Sequence, residues 1–282
     1  MHIFIRVFQN RSFMFYIRAT IGAMIKLTAL DLDGTLLNSD KQYPPEFPEW
    51  VKAHPDIAVV LASGRQVYTL QEQFSEIADR LWYIAENGAL IAHAGEIIKV
   101  DSMSEEDVLD TLDEFPGGEL CEPLLCGLKS AYVRHIGGKA KEESTKYYAR
   151  IEYNNDLRSC ASQDKTLKIA IFVQSYRAEE VYNKLPERKK GLTALLSGDS
   201  WIDIANSTVE KGIALRTIRE YLGVTREETA AFGDYLNDMS LLAEAGESYA
   251  MANAHPDLKK AARHVTRYTN DENGVMDVLS QL

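Results

Sequence analysis

The sequence predicts an α/β fold with a mostly parallel sheet, interrupted by a separate α+β insert. Three observations carry this expectation. Short apolar runs of strand length alternate with helix-period segments. Several runs end abruptly in Asp, Ser-Gly or Asp-x-x-Asn-Asp, the place where open α/β sheets put their chemistry. The middle of the chain, roughly 91–195, lacks such strand-end motifs and mixes helix and strand in another order.

Ile25–Leu30 reads as the first strand, leading into Asp31-Leu32-Asp33-Gly34-Thr35-Leu36-Leu37. Pro44, Pro45 and Pro48 then delay the first helix to about Glu49–Ala53. Ile57–Ala62 is a second buried strand, and Ser63-Gly64-Arg65 turns it into a helix over about 66–79. Leu81–Ala85 is a third strand, closed by the turn signal Glu86-Asn87-Gly88-Ala89. In the insert, Ser104 with Glu105, Glu106 and Asp107 caps a helix whose apolar stripe is Val108, Leu109, Leu112 and Phe115. Lys168–Val173 is a strand, and a short helix follows near Ala178–Leu185. The first pattern resumes with a helix at about 212–222, the strand Thr229–Gly233 and the motif Asp234-x-x-Asn237-Asp238. Helices at Ser240–Ala245 and His255–Ala262 flank the strand Tyr249–Met251, and His264–Thr266 is a last short strand. The expected division is therefore a core of 24–90 and 196–282, an insert of 91–195, and an N-terminal extension of 1–23.

The extension contains Arg6, Arg11 and Arg18, no acid, and the apolar run Phe13–Ile17, too short for a membrane span. An amphipathic surface anchor is one reading; an upstream start, with Met24 as the working start, is the one favoured. Over the whole chain, 31 Lys and Arg face 42 Asp and Glu, a net charge of −11. That balance argues against nucleic-acid or anionic-membrane partners, yet leaves room for a small phosphorylated ligand. Cys121, Cys126 and Cys160 show no metal-type spacing with histidine, and a cytoplasmic, reducing location is expected. His54, His93, His135, His255 and His264 show no metal spacing either, and His255 before Pro256 reads as a helix-start residue.

Strand alternation throws Asp31 and Asp33 to the same side, where their repulsion is tolerated only if a cation or a reaction needs them. Ser63-Gly64, Lys211-Gly212 and Asp234-x-x-Asn237-Asp238 supply further strand-end or helix-start sites. In order and residue type these four motifs resemble the haloacid dehalogenase (HAD) superfamily, specifically its Cof-type phosphatase branch with a class IIB cap. Ala250–Ala254 and Asn273-Gly274-Val275 are similar to that branch as well, and the resemblance runs from Met24 to Leu282. It implies a Rossmann-like parallel-sheet core with a mobile cap, and a Mg²⁺-dependent phosphatase of small phosphorylated metabolites such as sugar phosphates, as a monomer or small homo-oligomer. The alternatives are a phosphosugar mutase sharing the same aspartyl-phosphate, and a non-catalytic phosphometabolite-binding module.

The chemistry is consistent with that resemblance. Asp31, at the strand end, is the expected nucleophile, since a carboxylate attacking phosphorus splits one hard hydrolysis into two steps. Asp33 is expected to protonate the leaving alkoxide and then deprotonate water. Mg²⁺ needs only one or two direct carboxylates, here Asp31 and Asp234, with Asp238 supporting from behind. The hydroxyl and N–H of Ser63 at a helix start, the N–H groups of Gly64 and Leu32, and the ammonium of Lys211 are expected to receive phosphate. The family pattern adds a metal contact from the Asp33 carbonyl and a phosphate contact from Asn237. Ser63 stands where threonine is common, and Glu210 is expected to point to solvent. Arg65 is left between orienting its loop and an exposed ion pair. Tyr132, Arg134 and Tyr147–Arg158 are left between specificity positions and a solvated face.

Overall fold

The structure is a computed structural model and describes residues 24–118, 120–134 and 147–282. The extension 1–23 and His135 lie outside the described residues, so the expectations about them stand as stated.

The first sheet contains β1 (Leu27–Asp31), β2 (Ala58–Ala62), β3 (Leu81–Ala85), β4 (Leu90–His93) and β5 (Glu96–Val100). A second sheet holds β6 (Cys121–Gly127), β7 (Ala131–Val133), β8 (Ile151–Tyr153), β9 (Thr166–Val173), β10 (Leu192–Leu196) and β11 (Trp201–Asn206). The chain then returns to the first sheet with β12 (Thr229–Gly233), β13 (Glu247–Ala250) and β14 (His264–Val265). Among the described residues the first sheet has the order β14-β13-β12-β1-β2-β3-β4-β5, and the second β10-β11-β9-β6-β7-β8.

β1 to β3 and β12 to β14 pair in parallel. All five residues of β1, β3 and β12 are buried, which is why they read as continuous apolar runs rather than alternating ones. The order reverses direction between β12 and β1, the switch point that opens a crevice at the carboxyl ends of the strands. Register aligns those ends: Asp31 lies opposite Ala62, and Leu30 opposite Phe232. The residues that follow, Ser63 and Asp234, therefore flank Asp31.

The insert boundaries differ from 91–195 at both ends. β4 and β5 fold back as antiparallel strands on β3 and extend the first sheet. β11 lies inside the second sheet, where Ile202 and Ile204 pack among its buried apolar residues. A return hairpin has the same composition as an insert strand, so only pairing separates them. Helix starts also moved. The first helix spans Phe47–Ala53 with Pro48 in its opening turn, where the missing N–H has no partner to lose. The helix expected at 66–79 runs Val67–Gln73 and gives way to a 3₁₀ segment, Ser75–Arg80. The break falls at Phe74, whose buried ring stacks on Tyr43 and meets Phe47 edge-on. Ser104 caps its helix as expected, accepting from the Asp107 N–H, and His255 caps Pro256–Ala261.

Candidate active site

Asp31 is the last residue of β1, and Lys211 opens the helix Lys211–Leu222. The Lys211 ammonium lies 2.6 Å from Asp31 Oδ1 and 2.6 Å from Asp238 Oδ1, with all three groups buried. Asp238 Oδ2 accepts the main-chain N–H of Asp234 (3.0 Å) and of Tyr235 (3.2 Å), which fixes the turn after β12. Thr35 Oγ1 donates to Asp234 Oδ1 at 3.2 Å. Gly34 makes this approach possible. Its φ is +83°, and a Cβ there would sit 2.4 Å from Asp234 Oδ2.

Charge is unbalanced in this cluster. Oxygens of Asp31, Asp234 and Asp238 lie within 4.8 Å of one another, against one ammonium among the described residues. Burial, then the Asp238 charge, push the Asp31 carboxyl well above the usual range despite Lys211. Burial and Asp238 likewise push Asp234 up to about 6. Burial opposes the charge on Lys211, but Asp238 and Asp31 outweigh it and hold its pKa above the ordinary lysine value. Three hard oxygen donors with excess negative charge suit a divalent cation such as Mg²⁺.

Asp33 faces other partners. Arg65 grips it with two hydrogen bonds, Nε to Oδ2 at 2.9 Å and Nη2 to Oδ1 at 2.6 Å, and Lys41 adds an ion pair at 2.8 Å. Burial would raise the Asp33 pKa, but Arg65 and then Lys41 bring it below the usual carboxylate value. Arg65 is thus buried and turned inward, not an exposed ion pair; its Nη1 donates to Gln73 Oε1 at 3.0 Å.

Asp31, Asp33, Ser63, Gly64, Lys211, Asp234 and Asn237 all line one cavity of about 490 Å³. Asp238 and Leu32 are fully buried residues beside it. Two expectations for Ser63 need correction. Its N–H donates to the Ile84 carbonyl at 2.8 Å, completing the ladder with β3, so it has no free N–H for an anion. The helix begins only at Val67, with Gln66 as its cap, so Ser63-Gly64 is a turn rather than a helix start. The Ser63 hydroxyl accepts the Arg65 N–H at 3.2 Å and keeps its own proton to donate. Glu210 is exposed, as expected.

Sequence reasoning missed the opposite wall. Lys168, Trp201 and Asp203 from the second sheet, and Ser197 from the loop after β10, face the strand ends across the cavity, beside Tyr147 and Tyr148 from the stretch already named for specificity. One signal was present: Lys168 and Asp203 are charged residues inside otherwise apolar strands, and both are buried.

Fold and site together define an α/β protein with an acid cluster and a lysine at its switch point, facing a cavity closed by a second sheet. A family model described as haloacid dehalogenase-like hydrolase matches residues 28–279, and the chain belongs to that family of hydrolases. It is 30% identical to the 5-amino-6-(5-phospho-D-ribitylamino)uracil phosphatase YbjI of Escherichia coli (strain K12), over 92% of this chain and 96% of that one. Identity to the phosphatase YwpJ of Bacillus subtilis (strain 168) is 31%, over 92% of this chain and all (100%) of the relative. Among solved structures, SMU.1108c from Streptococcus mutans UA159 superposes with a TM-score of 0.81 at 28% identity, covering 91% of this chain and 98% of that one.

Proposed function

We propose that this chain is a Mg²⁺-dependent phosphatase of small phosphorylated metabolites, with sugar phosphates and sugar-derived polyol phosphates as its substrate class, working through an aspartyl-phosphate. The observation that carries the reading is the Asp31 carboxylate at the cavity, with Oδ1 held by Lys211 at 2.6 Å. That contact engages one oxygen and leaves Oδ2 to attack phosphorus. Lys211 also supplies positive charge beside the incoming phosphate. Asp31 and Asp234, with Asp238 behind them and the Asp33 carbonyl, are the groups that would hold Mg²⁺. Bound there, the ion would offset repulsion between the carboxylate and a phosphate dianion.

Asp33 is the proton carrier in this reading. Paired with Arg65 and Lys41 it is ionised, the form that takes a proton from water in the second half-reaction. Donation to the leaving alkoxide in the first half-reaction requires a protonated Asp33 released from that pair. The cavity volume suits a ligand of metabolite size, and the activity for which YbjI is named, on a phosphorylated ribityl compound, supports the substrate class. Phosphate release across sugar, polyol and nucleotide phosphates, with and without Mg²⁺, tests the proposal. Mg²⁺-dependent release that Asp31→Asn abolishes is the expected result. Isomerised sugar phosphate without free phosphate, or turnover unchanged in Asp31→Asn, would overturn it.

A further inference from the structure

Lys168 sits in β9, all eight residues of which are buried, and it is charged. Its ammonium meets three oxygens: the Gly64 carbonyl at 2.8 Å, Asp203 Oδ2 at 3.0 Å and Glu86 Oε2 at 3.0 Å. The first two are hydrogen bonds; the third is an ion pair outside hydrogen-bond geometry. Although Lys168 lines the cavity, two hydrogen bonds and an ion pair tie its ammonium to protein oxygens. Asp203 gathers its contacts on one oxygen, Oδ2 also accepting from Asn87 Nδ2 at 2.7 Å and Ser197 Oγ at 2.8 Å.

These contacts bridge the two sheets. Lys168 and Asp203 belong to the second, and Ser197 follows its β10; Gly64, Glu86 and Asn87 follow β2 and β3 of the first. The turn they seize is strained, with φ of +50° at Glu86 and +58° at Asn87, a region that side chains other than glycine occupy at a cost. Main-chain bonds carry the effect onward. Asn87 N–H donates to the Ser63 carbonyl at 3.0 Å, and Glu86 N–H to the Arg65 carbonyl at 3.1 Å. At Gly88 a Cβ would lie 2.5 Å from the Glu210 carbonyl, so the same turn packs against the residue before Lys211. Ser63, Arg65 with its grip on Asp33, and Lys211 therefore all rest on one turn that the second sheet holds.

We propose that Lys168 and Asp203 are positioning residues: seating the second sheet on the first sets the Glu86–Gly88 turn, and through it Ser63, Arg65 and Lys211, in their reactive arrangement. The inference rests on the phosphatase reading above. A parallel seam supports the seating, for Gln66 exchanges two hydrogen bonds with the Arg150 main chain (3.2 and 2.9 Å), and Thr69 Oγ1 donates to the Tyr147 carbonyl at 3.0 Å. Lifting the second sheet removes Lys168 from Gly64 and Glu86 together, so the site loosens whenever it is open to water.

The test is steady-state hydrolysis of p-nitrophenyl phosphate with Mg²⁺ by wild type, Lys168→Met, Asp203→Asn and the double variant, each with its unfolding midpoint measured. The probe's leaving group carries no hydroxyl, so a lost hydrogen bond to a sugar hydroxyl does not explain a change. A fall in kcat of about 10- to 100-fold with KM within about threefold is expected for Lys168→Met, since small misplacements of reacting groups cost that much. The double variant should fall no further than the worse single one, as members of one unit do. Unchanged kcat in a folded variant, or a raised KM at unchanged kcat, overturns the inference. If Lys168→Met does not fold, Asp203→Asn, which keeps size and acceptor oxygen, is judged by the same criterion. A wild-type protein that releases no phosphate overturns the phosphatase reading and this inference with it; wild-type turnover matched by the variants overturns this inference alone.

Discussion

Replacing Lys211 by methionine keeps most of the side-chain volume and removes an ammonium that touches Asp31 and Asp238, each at 2.6 Å. Both partners are buried, so the change leaves uncompensated charge, which costs about 3–5 kcal/mol when one member of a buried pair is deleted. The carboxylates have one escape, to bind a proton. Protonating a carboxyl of ordinary pKa near 3.8 at pH 7 costs about 4 kcal/mol, at about 1.4 kcal/mol per pH unit. Asp31 starts above that value, so its protonation costs less. The destabilisation at pH 7 without divalent cations should therefore be about 3–4 kcal/mol. An acid with a raised folded pKa binds more protons folded than unfolded, so its state gains stability as pH falls. Lys211→Met should accordingly lose about 1 kcal/mol or more less at pH 5 than at pH 7. Urea unfolding of both proteins at the two pH values, in chelator, measures this. A loss below about 1 kcal/mol, or one independent of pH, would refute the picture of a charge-starved carboxylate cluster.

Three further outcomes follow from neighbouring contacts. Arg65→Met removes the two hydrogen bonds that, together with Lys41, lower the Asp33 pKa, so the acid limb of the pH–rate profile should move to higher pH, which kcat measured between pH 4 and 8 detects. Gly34→Ala forces a side chain into φ +83° and 2.4 Å from Asp234 Oδ2; a loss of about 1–2 kcal/mol in stability from the backbone alone is expected, together with weaker cation binding in a Mn²⁺ titration. Because Asp234 titrates at about 6, protons compete with the cation below that pH, and the Mg²⁺ concentration for half-maximal activity should rise about tenfold per pH unit there.

The parts legible in sequence are those encoded locally. Asp31, Ser63 and Asp234 each follow an apolar run, and Lys211 precedes a helix-period segment, so strand ends and helix starts could be read and then aligned. The parallel pairing of β1 with β2 and β12 needed only the rule that such ends share one edge. What escaped depends on partners distant in the chain. Nothing near Ser63 announces that its N–H is taken by Ile84. Arg65 could be read either way because Asp33, which it grips, lies 32 positions earlier in the chain. Lys168 meets Gly64 104 positions off, and Asp203 meets Asn87 116 off, so the wall opposite the acids was invisible until the two sheets faced each other.

The central claim is that Asp31 carries the phosphoryl group. Acid-quenching the protein during turnover of a sugar phosphate, reducing acyl phosphates with borohydride and mapping peptides by mass spectrometry tests it directly. Conversion of Asp31 to homoserine, dependent on substrate and absent in Asp33→Asn, which cannot protonate the alkoxide that leaves as Asp31 attacks phosphorus, is the result this account predicts. Reduction at another carboxylate, or none while phosphate is being released, would contradict it.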